Sequence, residues 1–302
     1  MQARGPYPAL RAHPAARPVS QLILGKPVEE AAALLPRLFN LCRTAQAIAA
    51  RAAFGLAPQP DWQSALRAEI LREHIVKLCL KWPAAVSRAA VPLPRDWMAG
   101  SDAARVALFG PAGQLPDTAS GLDAFLNQQD GIAPLLRAIS QLFAPGQGCR
   151  ATLSLATPDT VFAVGALENS VAARRHVHPV MQAVAQRWGR GPLWSVLGVA
   201  YDLEAIFDGD MPPAMLATGC AVVPAARGLY AVRARVEKGC VVAFTRITPT
   251  DHLLAVGGAL EQALAALPAD TADATAPLVL SILDPCFPVS LQPDPRKEPA
   301  HA

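Results

Sequence analysis

Apolar positions recur at helical spacing over much of the chain. From Trp62 to Trp82, residues Leu66, Ile70, Leu71, His74, Ile75, Leu78 and Cys79 share one stripe, which predicts an amphipathic helix with His74 as a satisfied core or boundary residue. Pro27 to Phe54 reads as two helices interrupted near Pro36, the second starting at Leu41 with Cys42 in its first turn. Asp123 to Phe143 is a further helical stretch. Leu167 to Tyr201 holds at least two helices parted by Gly189-Arg190-Gly191-Pro192, and Leu254 to Leu267 is helical again. Alternation with β-branched residues marks Ala151 to Val164 as strand. The clearest β-pattern lies between Thr218 and Thr248, where two strands flank a Glu237-Lys238-Gly239 turn. Leu278 to Leu283 reads as a short apolar strand entering Asp284-Pro285-Cys286. The sum is an α+β chain with helices in the majority and a peripheral hairpin or meander near 218–248.

Composition sharpens this picture. Hydrophobic residues make up 52% of the 302 positions and mean hydropathy is +0.25, which excludes disorder for most of the length. The pattern predicts one domain over 19–292, a flexible Pro/Arg-rich arm at 1–18 and a flexible polar tail at 293–302. A net charge of +3 without a basic stripe gives no reason to expect nucleic acid. No apolar run reaches the ~18–20 residues that span a bilayer, so no membrane partner is expected and the cytoplasm is the default location.

The six cysteines, Cys42, Cys79, Cys149, Cys220, Cys240 and Cys286, are dispersed without any CxxC. They read as thiols rather than a disulfide framework. Cys79, Cys149, Cys220 and Cys240 fit structural roles. His176-Val177-His178 has the spacing of a metal pair on a strand, but lies beside Pro179 with no Cys or carboxylate near it in sequence, and reads as a solvated loop. Asn169 or Ser170 suits the N-cap of a helix.

Three segments carry a resemblance. Gly25 to Cys42 is similar to the stretch that leads to the N-terminal CxxC pair of the nickel–iron hydrogenase large subunit. Ala226-Arg227-Gly228-Leu229, the hairpin after it and Pro249-Thr250 resemble that family's RG segment, hairpin and PT signature. Asp284-Pro285-Cys286-Phe287-Pro288-Val289 looks like its C-terminal DPCxxC motif. The departures are specific. The family's first N-terminal Cys is Phe39 here and its following His is Gln46. The second C-terminal Cys is Val289 and the terminal His is Gln292. The Trp-Asn of the PT signature is His252-Leu253. This pattern is similar to that of HupK/HoxV-type hydrogenase assembly proteins, shortened relatives of the large subunit.

The resemblance implies a large-subunit-like fold and a non-catalytic scaffold or chaperone that holds or assembles an Fe(CN)₂(CO) unit as transient cargo. Two of four thiolates remain. Low-spin iron(II) with two cyanides and one carbonyl is completed by two soft thiolates, which Cys42 and Cys286 can supply as metal ligands, whereas nickel needs more. Arg227 matches the family Arg beside the diatomic ligands and is the third cofactor-binding residue. Cys42 matches a bridging position and Cys286 a nickel-terminal one, so two placements of the iron stay open. Implied partners are a HypC-type small chaperone, the HypD/HypE machinery and the hydrogenase large subunit. The alternative is a metal-free interaction factor that binds maturation chaperones or protects the large subunit. An active hydrogenase lacks its nickel thiolates here, and a cysteine hydrolase lacks a motif that places a His.

Overall fold

The computed structural model describes residues 9–12, 19–38, 41–287 and 289–292. Strand β1 (Ala9–Ala12) precedes α1 (Val19–Ile23), α2 (Val28–Leu34) and α3 (Arg43–Ala53). A long helical run follows: α4 (Trp62–Ile75), a π-helical turn (Val76–Lys81) and α5 (Trp82–Ala85). Then come α6 (Asp102–Phe109), α7 (Ala119–Leu126), α8 (Ala133–Leu142), α9 (Val171–Arg174), α10 (Pro179–Arg187) and α11 (Pro192–Phe207). Strands β2 (Met215–Ala217), β3 (Cys220–Ala225), β4 (Gly228–Glu237) and β5 (Cys240–Ile247) form an antiparallel meander in that order. The chain closes with α12 (Pro249–Leu253), α13 (Ala259–Ala265), α14 (Ala272–Leu283) and β6 (Val289–Gln292), which pairs antiparallel with β1.

Helix α11 is the axis of the core. It is apolar around nearly its whole circumference, as a helix wrapped on all sides must be, and α4, α8, α9, α10 and α14 pack on it. Gly198 permits the closest of these approaches, since a Cβ there would lie 2.4 Å from Cα of Ala172 in α9. Asp202, one turn on, is fully buried among hydrogen-bond donors. Its carboxylate accepts from His74 Nε2 at 2.9 Å, Arg174 Nη1 at 3.0 Å and Arg175 Nε at 3.1 Å. The meander is buried where α3 covers β3 and the start of β4, and its far half is open.

Several expectations are corrected. Ala151 to Val164 is irregular, because Thr157 and Thr160 bond each other and Thr160 Oγ1 donates to the Leu155 carbonyl, local bonds that compete with a ladder. Leu278 to Leu283 is the end of α14, not a strand; a short apolar run carries no period that separates the two. Part of the arm expected to be flexible, Ala9–Ala12, is paired with Val289–Gln292. The tail 293–302, Phe39 and the rest of the arm lie outside the described residues.

The π-helical turn has a definable cause. Pro83 has no N–H for the carbonyl of Cys79 and its ring crowds that group. The Cys79 carbonyl accepts from Val91 N at 3.0 Å instead, and the preceding turn widens.

Candidate functional site

Four chain segments converge at one end of α3. Cys42 is the N-cap of α3 rather than part of its first turn, with φ 52° and ψ 39° in the left-handed region. Its side chain makes no capping bond. Glu69 of α4 does that work from outside, accepting from Thr44 N at 2.7 Å and Ala45 N at 3.3 Å. The Cys42 thiol is thereby left for a pocket. Asp284, the C-cap of α14, is likewise left-handed at φ 50°, and two residues later the chain presents Cys286.

Cys286 is docked on the start of α12. Its N–H donates to Thr250 Oγ1 at 2.8 Å and its thiol lies 3.9 Å from Thr248 Oγ1. Thr248 forms a capping box with Asp251, so this anchor is itself fixed. Cys42 and Cys286 line one cavity of about 20 Å³ together with Gln46, Arg227, Tyr230 and Thr248. Gln46, in the place of the family His, donates to the Leu41 carbonyl at 2.8 Å and accepts from Tyr230 Oη at 3.5 Å.

Arg227 is the hub. Nη1 stands 3.5 Å from Cys42 Sγ, Nη2 pairs with Glu73 at 3.2 Å, and Nε pairs with Asp284 Oδ2 at 2.9 Å. The turn that carries it is held by Arg174, whose Nη2 donates to the carbonyls of Ala225 and Gly228. Gly228 has φ +150° and presses on Asn169, which a Cβ would meet at 2.4 Å. Asn169 bonds the main chain of Leu229, so the N-cap of α9 is Ser170.

The electrostatics follow from burial against pairing. Burial pushes the Cys42 thiol up, and Arg227 only partly offsets this, so the protein environment favours the thiol form. Burial works against a carboxylate at Asp284, but Lys77 and Arg227 outweigh it and hold the group down at about 2. Burial opposes the Arg227 cation too, yet Asp284, Cys42 and Glu73 keep it more firmly protonated than usual.

Sequence reasoning named Cys42, Cys286 and Arg227, and the structure brings all three to one place. It missed Lys77, Glu73 and the role of Asp284. The signal available was Glu69, Glu73, Lys77 and Lys81, four charged residues at four-residue spacing along one helix face. His74 is fully buried against Asp202, and Cys79 is buried on the core stripe. His176 Nδ1 pairs with the Ala173 carbonyl and His178 caps α10, so the two are used locally. Among the described residues no cluster of three or more His, Cys, Asp or Glu is arranged for a metal ion, and no helix is long and apolar enough to cross a membrane. The cavity itself presents two thiols and a guanidinium.

No family model matches the sequence. The chain is 46% identical over 285 residues to the hydrogenase expression/formation protein HupK of Rhodobacter capsulatus, covering 94% of this chain and 91% of that protein. It is 41% identical over 78 residues to the hydrogenase expression/formation protein HoxV of Cupriavidus necator, covering 24% of this chain and 20% of that one. The Ni-Fe-Se hydrogenase of D. vulgaris Hildenborough in its reduced state shares the fold, with a TM-score of 0.54 at 16% identity over 91% of this chain and 92% of that chain. The α+β architecture is that of the nickel–iron hydrogenase large subunit.

Proposed function

The chain belongs to the HupK family of hydrogenase expression/formation proteins, and from that premise we propose that it is a non-catalytic scaffold that holds an Fe(CN)₂(CO) unit on Cys42 and Cys286 during maturation of a nickel–iron hydrogenase. A role in hydrogenase formation comes with the family. One observation carries the assignment of the iron unit to this site: two thiols from distant parts of the chain line a single cavity with a buried arginine.

The unit is neutral, since iron(II) is balanced by two cyanides, and two thiolates make the complex dianionic. Binding releases the thiol protons, so affinity rises with pH. Arg227 supplies positive charge at the Cys42 sulfur and donors for an anionic ligand. Val289, in place of a further thiol, offers nickel no ligand. A cavity of about 20 Å³ admits little more than a water-sized group, so loading requires a loop to move. The segment Pro285–Cys286, docked through one main-chain bond and one weak thiol contact, is the part to yield. On this reading the cytoplasm keeps the thiols reduced, a HypC-type small chaperone with the HypD/HypE machinery delivers the unit, and the hydrogenase large subunit receives it.

Infrared spectroscopy of the chain purified from cells making the maturation machinery tests this. Cyanide and carbonyl stretches, with iron near stoichiometric and no nickel, are expected, and Cys42→Ser or Cys286→Ser abolishes them. Protein that binds maturation chaperones yet carries neither bands nor iron would instead be a metal-free interaction factor. Stoichiometric nickel would sink the scaffold reading altogether.

A further inference from the structure

Lys77 is 4% exposed, on a turn it shares with Leu78 and Cys79 of the core. Its Nζ lies 2.8 Å from Asp284 Oδ2 and donates to the Ala226 carbonyl at 3.3 Å. These two partners sit on different loops. Ala226 precedes Arg227 at the β3–β4 turn, and Asp284 opens the loop that ends in Cys286.

Charge balance does not account for this lysine. Asp284 already has Arg227 at 2.9 Å, and Lys81, which is exposed and cheap to keep charged, at 3.3 Å. Burial lowers the Lys77 ammonium's hold on its proton even beside Asp284. Arg227 already ties its own turn to Asp284, through Oδ2 at 2.9 Å and the main-chain carbonyl at 3.2 Å, and what Lys77 adds is a second tie that also takes in the Ala226 carbonyl. The backbone is shaped for it. On a regular α-helix positions eight apart drift round the axis, and the π-helical turn between Val76 and Lys81 reverses that drift, so Lys77 and Lys81 both meet Asp284 while Glu73 meets Arg227.

We propose that Lys77 is a positioning residue whose ammonium locks the Ala226–Arg227 turn to the Asp284–Cys286 loop, setting the separation of Arg227 and Cys286 at which an anionic, thiolate-held metal group is gripped. This rests on the cargo reading of the pocket and names what keeps its two walls in register. Cys42 has its own anchor, since Glu69 of α4 holds the start of α3, although Arg227 and the Lys77 charge both act on its sulfur.

The test uses the full chain made without maturation proteins, so no metal is present. Alkylation by iodoacetamide is followed at each cysteine by mass spectrometry. In Lys77→Met, Cys286 reacts about tenfold faster or more, the scale of one lost charge-assisted bond. Cys42, which loses a cation that favours its thiolate, reacts no faster, and Cys79 stays protected as a report on the fold. Lys77→Arg, which keeps a cation with several donors, restores slow reaction at Cys286. An unchanged Cys286 rate in Lys77→Met with Cys79 still protected overturns the proposal, as does failure of Lys77→Arg to slow it. If Cys79 also becomes reactive in Lys77→Met, the chain has opened as a whole, and Lys77→Gln takes its place with the same two outcomes. Because these rates are read on metal-free protein, they stand whether or not the wild-type chain carries iron, and the two readings fail separately.

Discussion

Arg227 Nη1 lies 3.5 Å from the sulfur of Cys42, although 185 positions separate the two residues along the chain. The guanidinium is 6% exposed and its other nitrogens are committed to Glu73 and Asp284. It is therefore a fixed donor, already desolvated and aimed before any ligand arrives, which is what makes a charge-assisted bond specific.

Arg227→Lys should separate binding from folding. Lysine keeps one positive charge for Glu73 and Asp284, and Asp284 retains Lys77 and Lys81, so the buried carboxylate is not left without a cation. It cannot serve Cys42, Glu73 and Asp284 together. Loss of one charge-assisted bond, about 1.5–3 kcal/mol, weakens iron retention by roughly tenfold to a hundredfold. Iron content after gel filtration, set beside an unchanged melting curve, is the check.

The His74–Asp202 pair predicts an acid-sensitive core. Burial drives His74 to the neutral form despite Asp202, so its Nε2–H donates to the carboxylate, and the bare Nδ1 is a buried acceptor with no partner, a position where a second proton would find no acceptor. Burial opposes ionisation of Asp202, but Arg174 and the His74 bond win and hold the carboxyl below the usual range. Both groups bind protons more weakly folded than unfolded. Their contribution is complete above the unfolded histidine value of about 6.5 and is lost as pH falls, first through His74 and then, below about 4, through Asp202. Urea midpoints at descending pH should fall from neutrality downward. Asp202→Asn should lower the midpoint at pH 7 and flatten the portion below pH 4.

How much of this was legible in the sequence depends on distance along the chain. The α4 stripe, the β4–β5 hairpin and the three motif segments are local patterns, and each marks its element or its site residue. The strand expected at 278–283 failed because five apolar residues in a run of six fit either period. The Asp202 cluster was invisible, since nothing local tells Arg174 and Arg175 that a carboxylate in α11 lies beneath them. Lys77 was masked for a related reason: a lysine near a core stripe reads as a boundary residue until Ala226 and Asp284, from far downstream, are folded onto it.

Pro83→Ala should erase the π-helical turn. Residue 83 regains an N–H, the Cys79 carbonyl takes it, and the run from Trp62 to Ala85 becomes regular helix. Removing an interior proline gains helix stability, but Val91 N loses its acceptor and Lys81 rotates off Asp284. These oppose one another, so the melting temperature changes little. Hydrogen exchange gives the readout: the Val91 amide should exchange faster while that of residue 83 becomes protected. A Val91 amide as slow as in the wild type would mean that proline is not the cause of the wide turn.

Gly198→Ala should be costly where most such changes help. An exposed helical glycine replaced by alanine gains about 1 kcal/mol. At Gly198 the new methyl would sit 2.4 Å from both Cα and Cβ of Ala172, and backbone atoms cannot swing aside as a side chain end can. Overpacking of this kind costs about 1–3 kcal/mol, so the net sign reverses. The strain has a direction. Ala172 belongs to α9, and Arg174 at the end of α9 holds the carbonyls of Ala225 and Gly228 on either side of Arg227. Pushing α9 off α11 therefore loosens the turn that presents the guanidinium. The expected outcome is a lower urea midpoint together with weaker iron retention, whereas Gly209→Ala, in an open turn where a Cβ meets nothing within 4 Å, leaves retention as it is. A Gly198→Ala protein as stable as the wild type would show that the α9–α11 contact yields freely, and that the route from the core to Arg227 runs elsewhere.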